Sequence, residues 1–232
     1  MAGLIIQLII SWILVWIFEK GNLRFLGFKP TITRLSDFLI FFILTAICCS
    51  SGFLLRMVFA KELWQKNPAI NASIILDGIW WNLRSVLYEE LIFRGAILYI
   101  LLRKTGQLKA ILFSAAAFGI YHWFSFGIIG NIPQMILVFI VTGLMGFVLA
   151  YGYAKTFSLY VPVGIHFGWN LTHQFIFSQG PIGDGLLIQS VKAPFRTDSY
   201  LLFFTVILLP ILSALLMNYL ILRKKKQVVI AE

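Results

Sequence analysis

The chain has 232 residues, of which 60% are hydrophobic, 16% aromatic and 12% charged. Soluble globular domains carry roughly 45–50% apolar and about 25% charged residues, and half that charge cannot coat a water-facing surface of this size. An ordinary soluble enzyme, a disordered protein and a collagen-like chain are excluded, which leaves a polytopic membrane protein with room for roughly seven spans of about 20 apolar residues.

The net charge of +10 comes from 19 Lys and Arg against 9 Asp and Glu. Most of the basic residues flank apolar runs, so topology explains them and no nucleic-acid partner is expected. Cys48 and Cys49 are neighbours inside an apolar run. A ring between adjacent cysteines is strained, so both read as small core residues.

In chain order, the first run is Ala2 to Phe18. No basic residue precedes it and no small-residue cleavage site follows, so it reads as a retained span rather than a signal peptide. A basic loop follows with Lys20, Arg24, Lys29 and Arg34, and Phe38 to Leu55 is the second span. Asn67-Pro68 marks the next loop. The third segment, Asp77 to Leu101, is helical in composition yet contains Arg84, Glu89, Glu90 and Arg94. From Ala110 to Ala154 no residue is charged, which allows two spans with a break at Gly127 to Pro133. Thr156 to Gln179 is the sixth span, a polar loop runs to Asp198, and Ser199 to Leu222 is the seventh, ended by Arg223-Lys224-Lys225-Lys226. The expected fold class is all-α, a polytopic helix bundle of about seven transmembrane helices. Two N-terminal helices and their loops occupy residues 1–76. A helical core occupies 77–178, and the last helix with its loop and tail occupies 179–232.

Loops one, three and five plus the tail hold twelve Lys and Arg, against five for the N-terminus and loops two, four and six. The positive-inside bias then puts the N-terminus outside and the tail in the cytoplasm.

Charges in a bilayer cost about 2.5–3.5 kcal/mol each on insertion scales and face protein interior or water. Glu90 and Arg94 are four apart and share a helix face. Glu89 lies about 100° around the helix, so Arg94 serves it less well. One carboxylate is thus partly neutralised and the other is left for chemistry, unless the cluster only stabilises the helix. The three histidines, His122, His166 and His173, all lie in apolar spans. His166, Asn170 and His173 fall on one helical stripe. Counted from the cytoplasmic ends of their spans, Glu89, His122, His166 and Asn170 lie at similar depths, roughly 14–20 Å. A common site near mid-membrane follows, and it must be a polar cavity that holds water.

A carboxylate and a His can position and deprotonate a water, while a second His and an Asn can donate to a tetrahedral oxyanion. That set is competent for peptide hydrolysis without a covalent intermediate. Two His and one or two Glu are also acceptable zinc ligands, and two membrane histidines can ligate haem. A transporter or proton relay is a further reading, disfavoured by the lack of an inverted repeat. So is a non-enzymatic immunity or regulatory protein.

Glu89-Glu90-x-x-x-Arg94, then Phe118-x-x-x-His122, then His166-x-x-x-Asn170 resembles the CPBP (CAAX protease and bacteriocin-processing, or Abi) family of intramembrane proteases. The family includes type II CAAX prenyl endopeptidases and lysostaphin-resistance-like proteins. The resemblance implies a glutamate-dependent endopeptidase with no metal and no cofactor. By motif, Glu89 would be the general base and His122 would help hold the water. His166 and Asn170 would form the oxyanion hole, with Glu90 and Arg94 in support. His173 lies outside the motif and reads as a packing or cavity-lining residue. The implied partners are the bilayer and a peptide or membrane-protein substrate, lipidated or not. The compact chain resembles the prokaryotic members, which implies a plasma-membrane location.

Overall fold

The computed structural model describes residues 2–191 and 199–228. The end of the polar loop expected to run to Asp198, with Lys192 and Arg196, and the last four residues of the tail lie outside the described residues.

The protein is all-α, with 77% of residues helical. Helix α1 is Ala2–Glu19 and α2 is Ile32–Phe59. The second helix is longer than the apolar run alone implies, because it starts inside the basic loop, where Thr31 Oγ1 accepts from Arg34 N at 3.2 Å. At 28 residues it is about 42 Å long, more than a hydrocarbon core of roughly 30 Å. A three-residue strand, β1 (Trp64–Lys66), then precedes α3 (Ala72–Arg94) and α4 (Ala96–Thr105).

The expectation of one helix over Asp77 to Leu101 is corrected here, since the helix breaks at Gly95. A Cβ at that position would stand 2.2 Å from the Leu91 carbonyl oxygen, so no other residue turns this corner. The corner falls directly after Arg94.

Helices α5 (Gln107–Ser125) and α6 (Ile132–Thr156) follow, separated by a loop at the expected break. Pro133 sits in the first turn of α6, where its missing N–H costs nothing, and Asn131 caps the helix by accepting from Gln134 N. Helix α7 (Tyr160–Asn170) runs directly into a π-helical stretch, Leu171–Ile176. It therefore begins four residues later than the expected span. Strand β2 (Leu187–Gln189) follows. The last helix has three parts, α8 (Tyr200–Phe203), a π stretch Phe204–Leu208, and α9 (Leu209–Lys224).

Among the described residues, four helices are long and apolar enough to cross a membrane: Ala2–Glu19, Ile32–Phe59, Ile132–Thr156 and Tyr200–Lys224. They expose large side chains such as Ile9, Trp12, Ile43 and Ile140. Lipid tails are as apolar as these residues, so a bilayer accommodates what water would not.

By contacts the chain divides into two compact units. Unit one comprises Met1–Phe38, Leu87–Val163 and Tyr219–Glu232, and unit two comprises Leu39–Val86 and Gly164–Asn218. In unit one, α5 packs closely on α6. A Cβ at Gly146 would stand 3.1 Å from both Ala115 Cα and Phe118 Cβ, so glycine is what lets the two backbones approach. In unit two, β1 and β2 pair antiparallel with Gln65 opposite Ile188, a ribbon between two segments expected as loops. Asn67 Nδ2 fastens it by donating to Gly185 O at 2.8 Å. Arg56 Nη2 pairs with Glu62 Oε1 at 2.7 Å, and Gln189 Nε2 donates to the other Glu62 oxygen at 3.2 Å. Cys48 and Cys49 are buried free thiols in this unit. Asn218 Nδ2 donates to Thr45 Oγ1 at 3.0 Å, and both residues are fully buried.

Candidate active site

Unit one holds Glu89, Glu90, Arg94 and His122. The two glutamates take different partners, because successive side chains on α3 point about 100° apart. Glu90 faces inward and is fully buried, with Arg94 Nη1 at 3.2 Å from its Oε1. Arg94 Nη2 also donates to Gly146 O at 3.3 Å. The guanidinium lies over the Phe118 ring at 4.2 Å from its centroid. One buried cation therefore links the end of α3 to α5 and α6. Loss of the Cβ at Gly146 is what brings its carbonyl within reach.

Glu89 turns instead toward α5, and its Oε2 is 4.0 Å from His122 Nε2. Both side chains are about nine-tenths buried, at 12% and 10% exposure. The other ring nitrogen, His122 Nδ1, is 2.7 Å from the Phe118 carbonyl oxygen one turn earlier. A carbonyl only accepts, so Nδ1 carries a proton there. In the neutral ring Nε2 is then the acceptor, and it is the nitrogen that faces Glu89. Phe118 and Phe126 hold the imidazole edge-on, at centroid distances of 4.5 and 5.1 Å. Ser114 Oγ donates to Phe93 O at 3.0 Å and fixes the end of α3 against α5.

Unit two holds His166, Asn170 and His173. His166 and Asn170 are one turn apart on α7, with Asn170 Nδ2 at 3.3 Å from His166 Nε2. His166 is buried. His173 lies in the π stretch and is part of an aromatic stack. It is 6.5 Å from Trp169 with the rings 13° from parallel, and 5.7 Å from Phe53. With Arg56, these three residues line a cavity of about 70 Å³. The cavity-lining alternative for His173 thus matches its surroundings.

Two participants, Gly146 and Ser114, carry no signal in the sequence. Gly146 and Ser114 act through a backbone carbonyl and a hydroxyl, and neither leaves a mark in a search for ionisable groups. Phe118 is legible only as a motif residue, while its carbonyl orients His122 and its ring covers Arg94. No three His, Cys, Asp or Glu side chains among the described residues cluster to hold a metal ion.

No curated protein and no solved structure matches this chain. A family model described as "Type II CAAX prenyl endopeptidase Rce1-like" matches residues 71–172. That segment is less than half of the chain, and it contains Glu89, Glu90, Arg94, His122, His166 and Asn170. Residues 71–172 are therefore similar to the Rce1-like type II CAAX prenyl endopeptidases, consistent with the CPBP family that the motifs resemble, and the apolar helices and this similarity support an integral membrane protein.

Proposed function

We propose that this chain is an intramembrane endopeptidase that hydrolyses a peptide bond with a water activated by Glu89 and His122. The observation that carries the reading is the Glu89–His122 pair. A separation of 4.0 Å between a carboxylate oxygen and an imidazole nitrogen is too long for a direct hydrogen bond. It suits a water donating one O–H to each. Two acceptors then converge on one water, which leaves its oxygen lone pair directed at a substrate carbonyl. Deprotonation by Glu89 makes that oxygen the nucleophile, and the proton next serves the leaving amine.

In this proposal His166 and Asn170 receive the developing oxyanion. Support comes from their placement one turn apart on one face of α7, with the side chains 3.3 Å apart, from the matching depth of the motif residues in the sequence, and from the family segment, which includes both. Glu90 and Arg94 position the helix that carries Glu89. The mechanism needs neither metal nor cofactor. The substrate is a peptide or membrane protein, and the family description points to prenylated C-terminal sequences as the first to try. Seven spans around a mid-membrane water-filled cavity, the catalytic core at 77–178, and an outside N-terminus with a cytoplasmic tail complete the proposal.

The test is hydrolysis by purified protein in lipid nanodiscs of a peptide ending in a prenylated cysteine motif, run in ¹⁸O-water. One heavy oxygen in the newly formed carboxylate is expected. Cleavage absent from every membrane peptide offered, with the protein folded, would contradict the reading.

A further inference from the structure

We propose that one end of unit one is a docking face for anionic phospholipid headgroups. The charge distribution is the first observation. Twelve Lys and Arg lie in four stretches of that unit: Lys20 to Arg34, Arg103 to Lys109, Lys155, and Arg223 to Lys226. Only Glu19 and Asp37 accompany them in those stretches and the adjoining helix turns. The remaining Lys and Arg of the sequence number seven, 19 less 12, and the remaining Asp and Glu also number seven, 9 less 2. They cancel, so these stretches account for the whole net charge of +10.

The second observation is that contacts gather these stretches together. Arg103 Nε and Lys104 Nζ each stand 3.5 Å from Glu19, at the end of α1. Phe25, in the loop after α1, packs on Tyr99 of α4 at 6.0 Å. Tyr160, at the start of α7, donates to Phe28 O at 3.3 Å. Lys225 Nζ pairs with Asp37 Oδ1 at 2.6 Å, which ties the tail to α2. Gln227 Nε2 donates to Ala154 O at 2.6 Å, and Val228 N donates to Lys155 O at 3.0 Å. The tail thus caps the last carbonyls of α6.

Setting topology requires only that charge flank the spans. It does not require a tail folded back and fixed by an ion pair and two hydrogen bonds. Arg24, Lys29, Lys109, Arg223, Lys224 and Lys226 remain exposed. Trp16 is exposed at the same end, at 58%, and an amphipathic indole settles at headgroup depth, with the exposed Phe18 and Phe25 rings beside it to enter the apolar layer. A fixed cationic array beside an interfacial Trp is complementary to a leaflet with negative surface potential.

The test measures thermal unfolding of the full chain in neutral detergent micelles. The additives are phosphatidylglycerol, phosphatidylcholine or soluble glycerol phosphate. Phosphatidylglycerol is expected to raise Tm by several degrees, and the other two are expected to leave it unchanged. Potassium chloride at about 0.5 M should abolish the gain, since it shortens the screening length to a few ångströms. Neutralising Arg24, Lys29, Lys224 and Lys226 together with Gln should also abolish it, whereas Lys61→Gln with Lys66→Gln, in unit two, should keep it. An equal gain with phosphatidylcholine overturns the proposal. So does an equal gain with glycerol phosphate, which would mean a site for free phosphate. A full gain in the fourfold variant also overturns it. Should that variant not fold, a salt-insensitive gain in the unmodified chain overturns it. None of these readouts requires peptidase activity.

Discussion

His122 offers Nε2 to Glu89 Oε2 across 4.0 Å because its Nδ1 is engaged by the Phe118 carbonyl at 2.7 Å. The tautomer is set by α5 itself, one turn before the imidazole. A hydrogen bond within one helix thus determines which nitrogen meets the carboxylate from α3, and this links backbone geometry to the proposed activation of water.

His122→Ala should lower the turnover of any substrate by about 10²–10⁴-fold, the range of general acid–base catalysis. Thermal stability should fall only modestly, because the ring packs mainly against Phe118 and Phe126. Comparing kcat with Tm for the same preparation checks this. A large loss of Tm with retained kcat per folded molecule would assign His122 to packing.

Asn170→Ala should lower kcat by about 10²–10³-fold with little change in KM, as for loss of an oxyanion donor. Asn170→Asp should be at least as damaging, since it adds negative charge where negative charge develops. Steady-state kinetics on one peptide separates the two parameters. A rise in KM alone would place Asn170 in substrate binding.

Arg94→Met should destabilise the protein by about 3–5 kcal/mol, because it leaves Glu90 charged and fully buried without the cation 3.2 Å away. Replacing both residues, Glu90→Leu with Arg94→Met, should cost less than Arg94→Met alone. Unfolding in a mild detergent measures both. Equal losses for the single and double variants would mean that the pair is not the source of the cost.

Gly146→Leu should destabilise by about 1–3 kcal/mol through overpacking, since even a Cβ there stands 3.1 Å from Ala115 Cα. Gly146→Ala should be milder, as neighbours need yield only a few tenths of an ångström. The same unfolding assay ranks the two, and the reverse order would contradict the close approach of α5 and α6.

Much of this arrangement is legible in the sequence, for identifiable reasons. The Glu90–Arg94 pair follows from i, i+4 spacing, and the His166–Asn170 pair follows from the same periodicity. The break between α5 and α6 is announced by Gly130, Asn131 and Pro133. The corner at Gly95 is not legible, because a lone glycine in a helical pattern is usually tolerated. The π stretches at Leu171–Ile176 and Phe204–Leu208 leave hydropathy unaltered, so periodicity passes over them. The β1–β2 ribbon pairs Gln65 with Ile188, far apart in sequence and only three residues long on each side. The Arg94–Gly146 hydrogen bond is equally non-local, and its acceptor is a backbone atom that every residue has.

The central claim is that Glu89 activates the hydrolytic water, and Glu89→Gln tests it most directly. The substitution keeps size and hydrogen-bonding capacity while removing the base. Cells expressing the unmodified chain or Glu89→Gln at equal membrane levels would be compared by mass spectrometry of protein termini. The expected result is a membrane-associated polypeptide that is cleaved with the unmodified chain and accumulates intact with Glu89→Gln. Equal cleavage in both cells would contradict the claim.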